Sequence, residues 1–216
     1  MDEFPDMTGK TILQVAPELS AGGVERTVLE VTEAIIAAGG RALLARKGGR
    51  LEDDFAALGG ELFRMDAKSK NPVTLKLNQR KLERLIARER VNLVHARSRA
   101  PAWSAYWAAK AAGVPFVTTY HGAYSGKTRL KRAYNAVMAK GDLVIANSNW
   151  IAAHVQAEHG IAEDRIVTIP RGVDLAEFDP VAVTPSRIAA VRQRWGIVDD
   201  PRVTLLLPGR LTEWKG

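Results

Sequence analysis

The chain is 216 residues long, 46% hydrophobic, carries a formal net charge of +7 and contains no cysteine. That length and apolar content suffice for one large domain, or one and a half small ones, around a real core. The missing thiols exclude a disulfide framework and a thiolate zinc site, so a reducing compartment, the cytoplasm, is expected. The acidic start "MDEFPDMTGK" is unlike a secretory signal, and the longest apolar stretch, "PAWSAYWAAKAAGVPFV", is interrupted by Lys110, so no membrane span is expected. The positive balance points to nucleic acid, anionic lipid or a phosphorylated ligand without choosing among them.

In chain order, short apolar runs rich in β-branched residues recur as "TILQVA", "RALLA", "ELFRM", "NLVHA", "PFVTTY", "DLVIAN", "RIVTIP" and "RVTLLLPG", each predicting a strand. Helical patterns lie between nearly all of them. In the first helix Val24, Val28, Val31 and Ile35 share one face, and the Gly39-Gly40 pair ends it. A second helix is read at "GGRLEDDFAALGG". A third, from about Val73 to Arg90, turns Leu82, Leu85 and Ile86 inward and its basic residues outward. Such alternation predicts an α/β fold, a mostly parallel sheet with helices on both faces. "DLVIAN" is apolar on both faces, as a buried parallel strand must be. After "VDLAEFDPVAVTP" comes a short helix carrying Ile188, Val191 and Trp195, then a linker, the last strand and a loop. The expected organisation is a domain over 1–182, a linker segment over 183–200, and over 201–216 the opening strand and loop of a second domain.

In an open parallel sheet ligands bind beyond the carboxyl ends of the strands, so the loops after the apolar runs carry the candidate sites. In "PELSAGGVERT" the backbone at Gly22 and Gly23 has no Cβ to hold a ligand away, and the N–H groups that open the next helix would face an anion. A plain strand-to-helix turn explains the pair equally well, and Glu25 already complements the helix dipole. The loop is not the G-x-G-x-x-G dinucleotide fingerprint. His121, between Tyr120 and Gly122, stands at a strand end and reads equally as functional or structural. His95, one strand earlier and followed by Arg97, Ser98 and Arg99, is a similar case; His154 and His159 lie on a later polar helix and receive no role. In "IPRGVDLAEF" the Arg171-Gly172 pair reads as a turn. In "PGRLTEWKG" Arg210 and Lys215 beside glycines suit a diphosphate, or else form a solvated loop. No histidine and carboxylate set has convincing metal spacing.

Taken together, "ELSAGGVERTVLE", "TTYHG", "ANSNWIAAHV", "IPRGVDLAEFDP" and "GRLTEWKG" resemble, in order and spacing, family-four GT-B retaining glycosyltransferases, over nearly the whole chain. The resemblance implies a Rossmann-like amino-terminal domain that binds acceptor, truncated at the start of the nucleotide-sugar (donor) domain. By motif, His121 matches the histidine that reaches the transferred sugar, Gly22 and Gly23 the glycine loop near the donor diphosphate, and Arg210 with Lys215 the cations that neutralise it. The acceptor side of the cleft is assigned to Glu25, Arg97, Ser98, Tyr120, Gly122 and Arg171. The donor is expected to be a UDP- or GDP-sugar, with no cofactor and no metal, because the two cations stabilise the charge developing on the leaving diphosphate. The acceptor is expected to be a saccharide or lipid-linked glycan, as in lipopolysaccharide or cell-envelope synthesis.

Two departures stand out. The family's usual "IPNGVD" is here "IPRGVD", which suits a phosphorylated or acidic acceptor. The carboxyl-terminal pair of glutamates separated by seven residues is missing, so this stretch alone is expected to fold but to be nearly inactive. Over 127–140, Lys127, Arg129, Lys131, Arg132 and Lys140 occur without an acidic residue, while Leu130, Tyr134, Val137 and Met138 share another face. Such a helix either packs on the sheet with a solvated basic face or rests on the anionic inner leaflet of the plasma membrane. Competing readings are a non-catalytic nucleotide-sugar or saccharide binding module, and a nucleic-acid binder. The latter is disfavoured because the helices that carry the cations show no interleaved exposed aromatic residues.

Overall fold

The computed structural model describes residues 5–20, 22–124, 126, 128–175, 178–197 and 202–207. Among them seven strands form one sheet in which every pairing is parallel: β1 (Thr11–Val15), β2 (Arg41–Arg46), β3 (Glu61–Arg64), β4 (Leu93–Ala96), β5 (Phe116–Tyr120), β6 (Leu143–Ala146) and β7 (Ile166–Thr168). The order across the sheet is β3-β2-β1-β4-β5-β6-β7, so the direction of winding reverses between β1 and β4. That reversal opens a crevice at the strands' carboxyl ends. The connecting helices are α1 (Gly23–Ala37), α2 (Glu52–Ala57), α3 (Pro72–Glu89), α4 (Arg99–Ala112), α5 (Arg129–Asn135) and α6 (Asn149–His159).

The two-residue period of a strand sends its side chains into two separate cores. From β1 and β2, Leu13, Val15, Leu43 and Ala45 pack with Leu82, Leu85 and Ile86 of α3 and with Ala102, Ala105 and Ala109 of α4. Their neighbours face the other way: Ile12 and Ala42 meet Ile35 of α1, while Leu44 meets Val28 and Leu29 of α1 and Phe55 of α2. Val24 and Val31 of α1 are only half-buried. Thr32 belongs to the inward face instead, where a backbone carbonyl accepts from its hydroxyl. Local signals set the helix ends. Asn71 accepts from the amides of Val73 and Thr74 to start α3, with Pro72 at its first position, and Arg90 closes it in the left-handed conformation.

The chain divides into two units, Met1–Arg171 and Gly172–Gly216. The first holds the sheet and α1 to α6. The second contains α7 (Pro185–Trp195), started by the Thr184 side chain and ended by Gly196 at φ 65°. Its Ile188, Val191 and Trp195 are all exposed. The strand expected at "RVTLLLPG" is not formed over 202–207, where Val203, Leu205 and Leu207 are exposed.

The basic segment also departs from expectation. Instead of one amphipathic helix, α5 passes into a 3₁₀ turn over Ala136–Ala139. The tighter turn ends the α-helix at Asn135, so the basic segment is not one continuous helix. Val137 and Met138 are buried, Tyr134 is half-buried, but Leu130 is 85% exposed beside exposed Lys131 and Arg132. Lys140 lies over the Tyr106 ring, and Lys127 falls outside the described residues.

Candidate functional site

The crevice between β1 and β4 is bordered by the loops after β1, β4, β5 and β7. After β1 the chain reaches Gly22, at φ 134°, and then Gly23, the first residue of α1. Gly22 offers no side chain to cap the helix, so its first-turn amides lack a side-chain cap. The need for glycine here is steric. A Cβ at Gly23 would collide with Nη1 of Arg171, whose Cζ would be 2.9 Å away, and a Cβ at Gly22 would stand 2.9 Å from a carboxylate oxygen of Glu25. Gly23 therefore gives its space to an arginine of the same unit, and Glu25 folds back on its own helix start.

Arg171 follows β7 and is exposed. Its Nη2 lies 3.2 Å from Nδ1 of His121, at the end of β5. A guanidinium only donates, so Nδ1 accepts, and that hydrogen bond assigns the ring proton to Nε2. His121 Nε2 is buried and has no partner among the described residues. Burial, and then the positive charges of Arg97 and Arg171, push the imidazole's pKa down to about 3. At neutral pH His121 is thus an uncharged ring that presents an unused N–H donor. Its backbone carbonyl accepts from the Asn147 side chain at 3.0 Å, which ties the loop to the end of β6.

Arg97, just past β4, is one of the largest fully enclosed side chains, 2% exposed. Its Nε and Nη2 donate to the side-chain oxygen of Gln14 at 3.1 and 2.6 Å. Gln14 in turn donates to the Thr32 hydroxyl at 2.8 Å and to the Val28 carbonyl at 3.2 Å. No carboxylate among the described residues pairs with Arg97. Burial lowers its pKa to about 9, with Glu30 pulling upward from a distance and Arg171 pushing further down. Gln14 is the residue the motifs did not mark. Its signal is a polar side chain at the centre of the apolar run "TILQV", and Thr32 shows as the polar member of an inward helical stripe.

The remaining candidates divide between crevice and interior. Ser98 stands at the position before α4 without capping it through its side chain, and Gly122 has open space where a Cβ would be. Tyr120 does not line the crevice as assigned. It is 1% exposed, stacks against Tyr124 with ring centroids 4.5 Å apart, and its hydroxyl meets His159 Nε2 at 3.2 Å. Burial raises its pKa. His159, given no role from sequence, thus anchors the floor of the His121 loop. Arg99 covers the Tyr124 ring at 4.1 Å and donates to Asn135 at 2.7 Å, joining that loop to α4 and α5. His95 is an interior residue, hydrogen-bonded to the Thr119 hydroxyl at 2.7 Å and held well below the ordinary histidine pKa, first of all by burial. Among the described residues no three His, Asp or Glu side chains gather to hold a metal ion. Arg210 and Lys215 lie outside them.

A model of Glycosyltransferase Family 4 matches residues 21–177, from the glycine loop to the turn after Arg171. The chain belongs to this family. Among solved structures, a glycosyltransferase from Rickettsia africae ESF-5 is 37% identical, with a TM-score of 0.76 over 88% of this chain and 50% of that one. Two more distant structures share the family chain's fold. Anabaena Alr3699/HepE, solved with UDP and glucose, is 19% identical, with a TM-score of 0.67 over 86% of this chain and 50% of its own. Sucrose-phosphate synthase from Thermosynechococcus elongatus is 18% identical, at 0.66 over 87% and 52%. The chain therefore spans about half the length of the structures it matches. No curated protein sequence matches it. The Rossmann-like sheet expected from the motifs is the observed one, and the GT-B glycosyltransferase neighbours share it.

Proposed function

We propose that the full-length protein transfers a sugar from a UDP- or GDP-sugar to a saccharide or glycolipid acceptor with retention of the anomeric configuration, in lipopolysaccharide or other cell-envelope glycan synthesis. The observation that carries the reading is His121: a neutral imidazole at the end of β5, one strand beyond the β1–β4 switch point, with its Nε2–H buried and without a partner among the described residues. A neutral N–H suits a hydrogen bond to a hydroxyl of the transferred sugar, because it orients the ring without adding a charge beside the developing oxocarbenium ion. Arg171 fixes the tautomer from the other side of the ring. Gly22 and Gly23 are proposed to lie near the donor diphosphate, Gly23 leaving room for the Arg171 guanidinium, while Glu25, Ser98 and Gly122 border the acceptor. Arg210 and Lys215 are proposed to neutralise the leaving diphosphate, without a metal or cofactor. HepE was solved with UDP-glucose, which supports a nucleotide-sugar donor.

Because the chain spans half of its neighbours' length, residues 1–216 alone are proposed to turn over little or no donor. Exposed Leu130 beside Lys131 and Arg132 supports a peripheral contact with the anionic inner leaflet. No helix among the described residues is long and apolar enough to cross a membrane. The test is a donor screen with the full-length protein, read by product mass and by anomeric proton couplings, with His121→Ala as control. Retained product that His121→Ala reduces by a hundredfold or more supports the reading. Wild-type turnover in that variant would remove His121 from it, and donor binding without any product would favour the non-catalytic binding module.

A further inference from the structure

We infer that Arg97 after β4, His121 after the neighbouring β5, and Arg171 bonded to His121 form an oxyanion site that receives an acidic group, phosphate or carboxylate, carried by the acceptor. The inference rests on the glycosyltransferase reading and names the substrate class that the amino-terminal half selects. Arg97 is a cation enclosed in protein whose hydrogen-bonding partner is a neutral amide, Gln14. A buried charge without a counter-ion is unfavourable, and such charges ordinarily pair with a carboxylate or meet a ligand. Among the described residues no carboxylate pairs with Arg97. Of the two acidic groups nearest along α1, Glu25 turns back to Gly22, and Glu30 pairs with Arg26 at 3.8 Å, acting on Arg97 only from a distance.

Arg171 supplies the second cation. It bonds to the ring of a neutral histidine, lies against the bare backbone of Gly23, and forms no ion pair with any described carboxylate. Two like charges repel each other, and Arg171 lowers the Arg97 pKa beyond the larger effect of burial. The arrangement becomes favourable once an anion stands between them. Two features lie against Arg171: the His121 ring it bonds, whose Nε2–H has no partner among the described residues, and the start of α1, whose first-turn amides receive no side-chain cap from Gly22. The donor diphosphate already has proposed cations in Arg210 and Lys215. Arg97 and Arg171 are therefore left for a second negative group, which the acceptor must bring.

Two measurements test this. In the first, the full-length protein is given paired acceptors that differ only in one acidic group: a hexose against its phosphate ester, and a hexose against the uronic acid. The expected result is a preference for the acidic member of at least one pair by about tenfold or more in kcat/KM, as for a charge-assisted contact. Arg171→Asn is expected to abolish that preference through acceptor KM. Equal use of acidic and neutral acceptors, or an Arg171→Asn effect that falls on donor KM instead, would overturn the inference and leave the transferase reading standing. In the second, inorganic phosphate is titrated into the 216-residue chain while the His121 ring ¹⁵N resonances are followed. Saturable shifts of Nε2 are expected in the wild type and absent in Arg171→Asn, and no shift at tens of millimolar phosphate would count against the site. Phosphate binding in a protein that transfers no sugar would overturn the transferase reading, and the acceptor assignment with it.

Discussion

Gly23→Ala separates what this glycine does for folding from what it does for the site. At the first position of α1, alanine is a better helix residue than glycine by up to about 1 kcal/mol. Against this stands a collision: the new methyl would take the place of Arg171 Nη1 and stand 2.9 Å from its Cζ. What it strikes is the far end of a flexible, exposed side chain, so Arg171 swings out and loses a hydrogen bond of about 0.5 to 1.5 kcal/mol. The two terms nearly cancel. The melting temperature is expected to stay within about 4 °C of wild type, given about 2 to 4 °C per kcal/mol for a chain of this size. Transfer activity of the full-length protein is expected to fall at least tenfold, and the His121 pKa to rise because one neighbouring cation has gone. Gly49→Ala is the control. Its methyl would run into the backbone carbonyl of Leu19 at φ 151°, where nothing can yield cheaply, and a loss of several kcal/mol is expected. Thermal unfolding by circular dichroism, with activity in parallel, reads both variants. A Gly23→Ala protein that melts 10 °C lower, or that keeps full activity with an unshifted His121, would refute the argument.

Acid stability should carry the mark of His121. Its pKa of about 3 in the folded chain lies below the ordinary 6.5, so below pH 6.5 the unfolded chain takes up a proton that the folded chain refuses. Stability is therefore lost as pH falls from 6.5 towards 3, by at most about 2 kcal/mol at pH 5 for a partly exposed ring. The difference in unfolding free energy between wild type and His121→Asn, measured by urea titration from pH 7 to 4, is expected to slope in that window, and a flat difference would contradict it. Gln14→Leu leaves two N–H groups of buried Arg97 without an acceptor and is expected to cost about 3 kcal/mol. Adding Arg97→Met is expected to restore part of that loss, and a single-variant cost under about 1 kcal/mol would show that Arg97 relaxes to solvent.

Most of the sheet was legible from residue types. Runs such as "TILQVA" and "DLVIAN" are mostly apolar, and β1 and β6 formed where they stand, but only β1 is buried on both faces, whereas Leu143 of β6 is 42% exposed. The glycine loop and His121 were legible as candidates because a strand end followed by glycine is where an open parallel sheet exposes its backbone. The tautomer and charge of His121 were not, since both depend on Arg171, fifty residues further along the chain.

By itself, then, the sequence determined the elements whose causes are local: the positions of the strands, the Asn71-Pro72 start of α3, the order of the loops. Tertiary structure alone decided which polar groups share one enclosure. Arg97 is a surface cation by composition, and it becomes an enclosed one only because β4 lies next to β1 and brings it to Gln14. Tyr120 reads as a crevice residue and is instead turned inward onto Tyr124 and His159. Leu130 reads as a packing residue and stays 85% exposed, four residues before half-buried Tyr134 in the same helix. For Arg97 and Tyr120 the side chain's fate depends on a partner distant along the chain, which a local pattern of residue types does not encode.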